Sequence, residues 1–318
     1  MTLDQLRIFV AVAEREHVTQ AARALNLTQS AVSAAIATLE DRHGAHLFDR
    51  VGRGIALTEA GRVFLPEARA VLARVETAST VLADLSGLTH GSLRIAASQT
   101  VGGYWLPVRL ARFHAAYPGI GLQVSIANTQ DVAAAVVEGA ADLGVVEGAV
   151  DDPALAAWQV GEDRMRIVRA ADAPEVSGAA ALADARWVMR EAGSGTRAVL
   201  EAALRARGLD PAALGIALEL PSNEAVRSAV AAGAGVSGLS SLVVEAMIDA
   251  GRLVALPIDL APRPFLALRH KERYRSRAAD AFTAMLDQDT HLRNRGTSAS
   301  SPPGYGRNDA GESRSARR

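Results

Sequence analysis

Thr28-Gln29-Ser30-Ala31-Val32-Ser33-Ala34-Ala35-Ile36-Ala37-Thr38-Leu39 is the stretch that decides the architecture of this chain. Val32, Ile36 and Leu39 recur at the spacing of one helical face, and Thr28 stands where an N-cap hydroxyl accepts the first free backbone N–H groups. Opposite that apolar face lie Gln29, Ser30, Ser33 and Ala37. A helix that reads the major groove needs such a surface. Glutamine pairs bidentately with adenine, serine donates or accepts, and small alanines let the backbone approach the groove floor.

The flanking segments supply the rest of a helix-turn-helix. Leu3, Leu6, Phe9, Val10 and Ala13 form one face of a first helix, which Thr2 and Gln5 open as a capping box. A second short helix runs from Val18 to Leu25 with Thr19 as its expected cap, and Asn26-Leu27 make the turn. After Gly44, His46 to Arg50 and Ile55 to Leu57, joined through Gly52–Gly54, predict a two-stranded wing. Thr19, Gln20, Thr28, Gln29, Ser30 and Ser33 form the expected base-facing and groove-facing set, with Arg50 and Arg53 placed for phosphates or the minor groove. Residues 1–62 hold seven arginines and seven acids, so a monomer has modest non-specific affinity and two copies are required. The alternative is a small helical domain that binds protein.

From Thr58 the pattern changes. Leu65, Ala68, Leu72, Val75, Ser79 and Leu82 are spaced 3, 4, 3, 4, 3, an a/d seam that predicts a linker and dimerisation helix over 58–90, with a kink or fresh first turn at Pro66. From Gly91 to Asp289 short strands alternate with helices, which predicts βαβ units and mostly parallel sheets in two lobes. Lobe I takes 91–163 and 268–292, lobe II takes 164–267, and the strands at 164–170 and 264–269 cross between them. Residues 293–318, rich in serine, proline and glycine, are expected to be a disordered tail.

The α/β region carries a second set of candidate residues. Ser98-Gln99-Thr100 closes a strand and opens a helix, and Glu191-Ala192-Gly193-Ser194-Gly195-Thr196-Arg197 does the same in the second lobe. Hydroxyls and free N–H groups at a helix N-terminus favour an anion there. Asn128 and Thr129, Glu147 and Gly148, and Asn223 occupy further strand ends, where open α/β sheets place ligands. Each hydroxyl alone fits a plain helix cap; together they predict a crevice between the lobes.

Leu3 to Phe9, Ala21-Ala22-Arg23-Ala24-Leu25, Thr28 to Ser33, Leu39-Glu40, Leu47-Phe48-Asp49-Arg50 and Leu57-Thr58-Glu59-Ala60-Gly61 closely resemble the LysR-type transcriptional regulators. That resemblance implies a winged helix-turn-helix, a linker-helix dimer, a two-lobed effector domain like periplasmic binding proteins, and often a tetramer on DNA. Ala34 and Ala35 stand where many members carry arginine or lysine. Ala97 to Pro107 and the Glu191–Arg197 loop are similar to the subgroup tied to inorganic sulfur assimilation, nitrogen metabolism or carbon fixation, which implies a small anionic effector.

Composition sets the outer bounds. The 318 residues are 49% hydrophobic and 22% charged, enough for a real core, and 34 basic against 35 acidic residues exclude a global polycation. There is no cysteine, which removes disulfides, zinc fingers and thiolate nucleophiles. No export signal or apolar membrane span is evident, which fits the cytoplasm. Gly193-Ser194-Gly195 is not a nucleophile elbow, and Gly233 to Gly238 precedes a strand instead of following one, so neither an enzyme nor a dinucleotide site is expected. The expected partners are a double-stranded DNA operator, a small anionic effector, a second copy of the chain in a dimer or tetramer, and RNA polymerase, with no cofactor and no membrane. The competing view is a small-molecule binding protein that does not bind DNA and whose helical N-terminus only oligomerises.

Overall fold

The computed structural model describes residues 1–52, 54–85 and 91–298, without side chains for Ala83 and from 289 onward. Arg53, residues 86–90 of the expected linker and 299–318 of the expected tail lie outside the described residues. Helix α1 (Leu3–Arg15) opens on the expected capping box: Gln5 N–H donates to Thr2 Oγ1 at 3.2 Å and Thr2 N–H donates to Gln5 Oε1 at 2.9 Å. Helix α2 (Val18–Ala24) follows His17, which makes no capping bond. Thr19, expected as that cap, lies inside the helix, and its hydroxyl donates to Gln29 Oε1 at 3.2 Å. Helix α3 (Gln29–His43) is capped by Thr28 and stopped by Gly44 at φ 61°. Val32, Ile36 and Leu39 turn inward, as the spacing predicts.

Phe9 is the centre of this small core, with ring centroids 5.4 Å from Phe48 and 5.0 Å from Phe64, pairs worth about 1 kcal/mol each beyond their burial. Strands β1 (Phe48–Val51) and β2 (Gly54–Leu57) pair antiparallel as the wing. A carboxylate that the sequence pattern did not single out fixes it: Glu40 Oε1 accepts from Leu47 N–H at 2.6 Å and Phe48 N–H at 3.2 Å. Charge-assisted bonds of this kind contribute about 1.5–3 kcal/mol each. Glu40→Ala is therefore expected to destabilise the N-terminal domain by about 2–3 kcal/mol and to weaken operator binding, which urea unfolding and a mobility shift would register. Unchanged values would show that the wing is held by its apolar contacts alone.

Helix α4 (Glu59–Asp84) runs through Pro66 as one element. A Cβ at Gly61 would stand 2.2 Å from Leu47 O, so only glycine lets α4 start this close to the wing. Leu65, Ala68 and Leu72 of the seam pack on the N-terminal core, whereas Leu82 and Leu85 are 69% and 78% exposed.

Beyond it lie β3 (Gly91–Ser98), a π-helical turn (Val101–Trp105), α5 (Leu106–Ala116), β4 (Ile120–Ala127), α6 (Thr129–Glu138), β5 (Leu143–Glu147), β6 (Leu155–Asp163), β7 (Met165–Ala170), α7 (Gly178–Asp184), β8 (Arg186–Arg190), α8 (Gly195–Arg205), β9 (Gly215–Leu220), α9 (Asn223–Ala231), β10 (Ser237–Ser240), α10 (Ser241–Asp249), β11 (Leu253–Ala255), β12 (Arg263–His270) and α11 (Arg277–Ser298). Lobe I is a five-stranded sheet ordered β4-β3-β5-β12-β6. Lobe II joins the β10-β7-β11 and β8-β9 ribbons through a bridge between Trp187 and Val236.

Three expectations need correction. The sheets are mixed: β3 pairs parallel with β4 and β5, and β8 with β9, but β12 runs antiparallel to both β5 and β6, and β7 to both its neighbours. Strands that cross between lobes enter from the opposite end, which reverses their direction. The returning strand belongs to lobe I from Arg263 onward rather than from 268, because its register with β6 begins at Arg263↔Asp163. Finally, 293–298, expected in the tail, complete α11, since each residue added to an existing helix costs little.

Candidate effector site and DNA-binding surface

On α2 and α3 the base-facing candidates form one polar surface. Gln20, Thr28, Gln29, Ser30 and Ser33 are exposed, as is Arg50 in the wing. Thr19 fixes the Gln29 amide, and the hydroxyls of Thr28 and Ser30 share a hydrogen bond at 3.1 Å. These bonds cut the rotamer freedom that a side chain reaching for a base edge must otherwise lose on binding.

Between the lobes, the strand-end candidates converge on Glu147, which is 1% exposed at the end of β5. Ser98 Oγ donates to Glu147 Oε2, while Thr100 Oγ1 and Thr196 Oγ1 donate to Oε1 at 3.2 and 3.1 Å. Thr196 comes from lobe II, the others from lobe I. Asn223, at the start of α9, ties the lobes again: its Nδ2 donates to Thr100 Oγ1 at 3.0 Å, its backbone N–H to Gln99 Oε1 at 3.0 Å, and Gln99 Nε2 donates to Pro221 O at 2.6 Å.

Two groups at the hinge went unrecognised in the sequence. Arg263, 2% exposed on β12, donates to Asp163 Oδ2 at 3.0 Å through Nε and 2.7 Å through Nη2, and to the hydroxyls of Thr196 and Thr100 at 3.2 and 3.3 Å. Its Nη1 stands 3.9 Å from Glu147. Buried charges persist only when paired and hydrogen-bonded, and this guanidinium serves two carboxylates from opposite sides. Arg190, also buried, donates to Asn223 Oδ1 at 2.6 Å and pairs with Glu191 at 2.7 Å, which neutralises that carboxylate.

The remaining candidates sit on the rim. Asn128 and Ser194 are plain caps of α6 and α8. A cavity of about 770 Å³ opens between α6 and residues 192–198, lined by Thr129, Gln130, Ser194, Gly195 and Arg197. It ends close to Glu147, whose backbone carbonyl accepts from Thr129 Oγ1 at 3.0 Å. A Cβ at Gly148 would stand 3.4 Å from Gly195 Cα, and one at Gly195 would stand 2.1 Å from Glu147 O. Arg197 is held by Glu201 at 2.8 Å and Glu219 at 2.6 Å, and the Glu201 hydrogen bond raises its pKa above the ordinary arginine value, overcoming the effect of burial. Tyr104 Oη bridges the lobes to Glu224 at 2.9 Å, and burial, with that carboxylate, pushes its phenol up.

A winged helix-turn-helix, a long connecting helix and two hinged lobes with a polar crevice define an effector-responsive DNA-binding protein. Residues 3–62 match the bacterial regulatory helix-turn-helix protein, lysR family, and residues 86–290 match the LysR substrate binding domain. The chain belongs to the LysR-type transcriptional regulators. It is similar to the HTH-type transcriptional regulator YeiE of Escherichia coli (strain K12), 35% identical over 292 residues, which cover 90% of this chain and 97% of the relative. It is also 34% identical to the HTH-type transcriptional regulator CbbR of Rhodospirillum rubrum, over 89% of this chain and 95% of that one. The crystal structure of full-length CbnR complexed with its target DNA shares the fold, with TM-score 0.65, 20% identity, and coverage of 91% of this chain and 99% of that one. These relatives are regulators and not enzymes, so neither catalysis nor the binding-protein alternative describes the chain. Among the described residues, no helix is long and apolar enough to cross a membrane.

Proposed function

We propose that this regulator's operator binding is set by a small oxyanion taken up between the lobes in competition with the Glu147 carboxylate. What supports this is the convergence of three hydroxyls and one guanidinium, drawn from both lobes, on a single carboxylate. Those donors fit any compact oxyanion as well as they fit Glu147. With Ser98, Thr100, Thr196 and Asn223 turned to the effector, Glu147 is displaced toward the cavity at Thr129 and Gly195, and the lobes adjust about β6–β7 and the segment leading into β12. The effector selects that arrangement only to the extent that it binds it better. On the DNA side, Gln29, Ser30 and Ser33 read bases, while Thr19, Gln20, Thr28, Arg50 and Arg53 position the helix on the backbone. The exposed Leu82 of α4 and Leu85 just beyond it supply the contact between two copies, in a dimer or tetramer, and the assembly works in the cytoplasm with RNA polymerase.

A mobility shift on DNA upstream of the protein's own coding region, at two salt concentrations with excess competitor, tests the DNA half; footprints with sulfate, sulfite, nitrate and small carboxylates test the effector half. An oxyanion is expected to change the footprint, and Thr196→Val to abolish that change while operator affinity stays. A footprint indifferent to every anion would overturn the effector assignment. Ser33→Ala is expected to weaken specific binding about 5- to 10-fold, the cost of about 1 kcal/mol for one lost hydrogen bond, with effector affinity intact. Equal loss of both functions would contradict separate sites.

A further inference from the structure

We propose a second ligand site, for a small organic dianion, in the cavity between the linker helix α4 and lobe I. The cavity measures about 390 Å³, within the range of small-metabolite pockets. Ala73, Thr77 and Thr80 of α4 line one side, and Arg94, Arg269 and Arg273 of lobe I line the other. It lies between two clamps that hold α4 on the lobe. One is Arg69, paired with Glu138 at 2.8 Å; the other is Asp84, which accepts from Tyr274 Oη at 2.9 Å and Arg277 N–H at 3.0 Å.

The charge of the lining is unbalanced. Asp142 is neutralised by Arg94 at 2.6 Å, and Asp280 by Arg275. Arg273 donates to the carbonyls of Val136 and Val137 at 2.6 and 2.7 Å, at the negative end of α6, and pairs with no carboxylate among the described residues. Arg269 makes no side-chain hydrogen bond or ion pair there either. Arg74 stands near Arg273, and burial, followed by the charges of Arg74 and Arg94, lowers the Arg273 pKa, as expected where positive potential accumulates. Asp287 is the one lining carboxylate left to oppose them. Two guanidinium groups in a partly enclosed space, with threonines opposite, fit a molecule carrying two carboxylates or a phosphate.

The packing beside the cavity is tight. A Cβ at Gly139, at φ 80°, would stand 2.6 Å from Ala73 Cβ and 2.8 Å from Arg273 Cζ. A ligand held by Arg269 and Arg273 against α4 therefore bears on the helix that carries the DNA-binding domain, independently of the interlobe crevice.

Calorimetry on the full chain tests this site, in a Thr100→Val/Thr196→Val background that removes interlobe donors. Succinate and citrate probe carboxylates, glycerol 3-phosphate probes phosphate, each at about 5 mM, enough to fill a site with Kd near 1 mM. At least one probe is expected to bind once per chain and to weaken tenfold or more in Arg269→Gln. Thr77→Phe, which fills the cavity from α4, is the second variant. Loss of affinity in either variant that keeps its unfolding midpoint supports the site. No binding by any probe, or unchanged affinity in both variants, overturns it.

Discussion

Replacing Arg263 by alanine is expected to unfold the effector domain about 10 °C below the wild type, a loss of about 3–5 kcal/mol. The guanidinium is buried between Asp163 and Glu147, and its removal leaves Asp163 without its cation, the Thr196 hydroxyl without a donor and the Thr100 hydroxyl with Asn223 Nδ2 alone. All three tryptophans, Trp105, Trp158 and Trp187, lie in the two lobes, so their fluorescence follows this domain and not the winged helix. Arg263→Met/Asp163→Leu is expected to recover most of the loss, because an apolar pair of similar volume carries no desolvation cost, and Glu147 keeps its three hydroxyls. If the single variant melts at the wild-type temperature, water already reaches the hinge and the charges are not buried in solution.

Gly195→Ala is expected to lower effector affinity more than 100-fold. A methyl group there would lie 2.1 Å from the backbone oxygen of Glu147 and 2.4 Å from Thr129 Oγ1, and a backbone carbonyl on β5 cannot yield without shifting the strand. The lobes must part by an ångström or so, and hydroxyl donors misplaced by that distance lose most of their bond strength. Operator binding is expected to survive, since α3 and the wing are remote from this contact. Calorimetry with the oxyanion found active in the footprint reads the first effect, and a mobility shift the second. Wild-type affinity in Gly195→Ala would mean that the effector does not bind where the lobes meet.

The parts of this molecule legible in its sequence are those whose information is local. The capping box at Thr2 and Gln5, the Thr28 cap and the inward Val32, Ile36 and Leu39 are set within one or two helical turns, and the structure reproduces them. Thr19 misled because a threonine near a helix start suits a cap, whereas here its hydroxyl reaches Gln29, ten residues on. The strand-end hydroxyls were readable as a set, but not their common partner: nothing local says that Ser98, Thr100 and Thr196 share one carboxylate.

Asp163 and Arg263 were missed for a related reason. Strand β6 mixes Leu155 and Val160 with Gln159, Gly161 and Glu162, so it lacks a clean alternation, and its register with β12 shifts between Phe265 and Leu266. Arg263 stands between two prolines before an apolar run and reads as loop. Only the pairing of strands 100 residues apart brings it to Asp163. The cavity beside α4 was invisible for the same reason, since its walls come from α4, the turn after α6, β12 and the segment before α11.

Titration of the full-length protein with sulfate, sulfite, nitrate and small carboxylates, followed by calorimetry in parallel for wild type and Thr100→Val, tests the interlobe assignment most directly. One oxyanion is expected to bind once per chain and to weaken at least tenfold when the Thr100 hydroxyl is replaced by a methyl group, the scale of one hydrogen bond to a charged ligand. Equal affinity in the two proteins, or no binding by any of these anions, would contradict it.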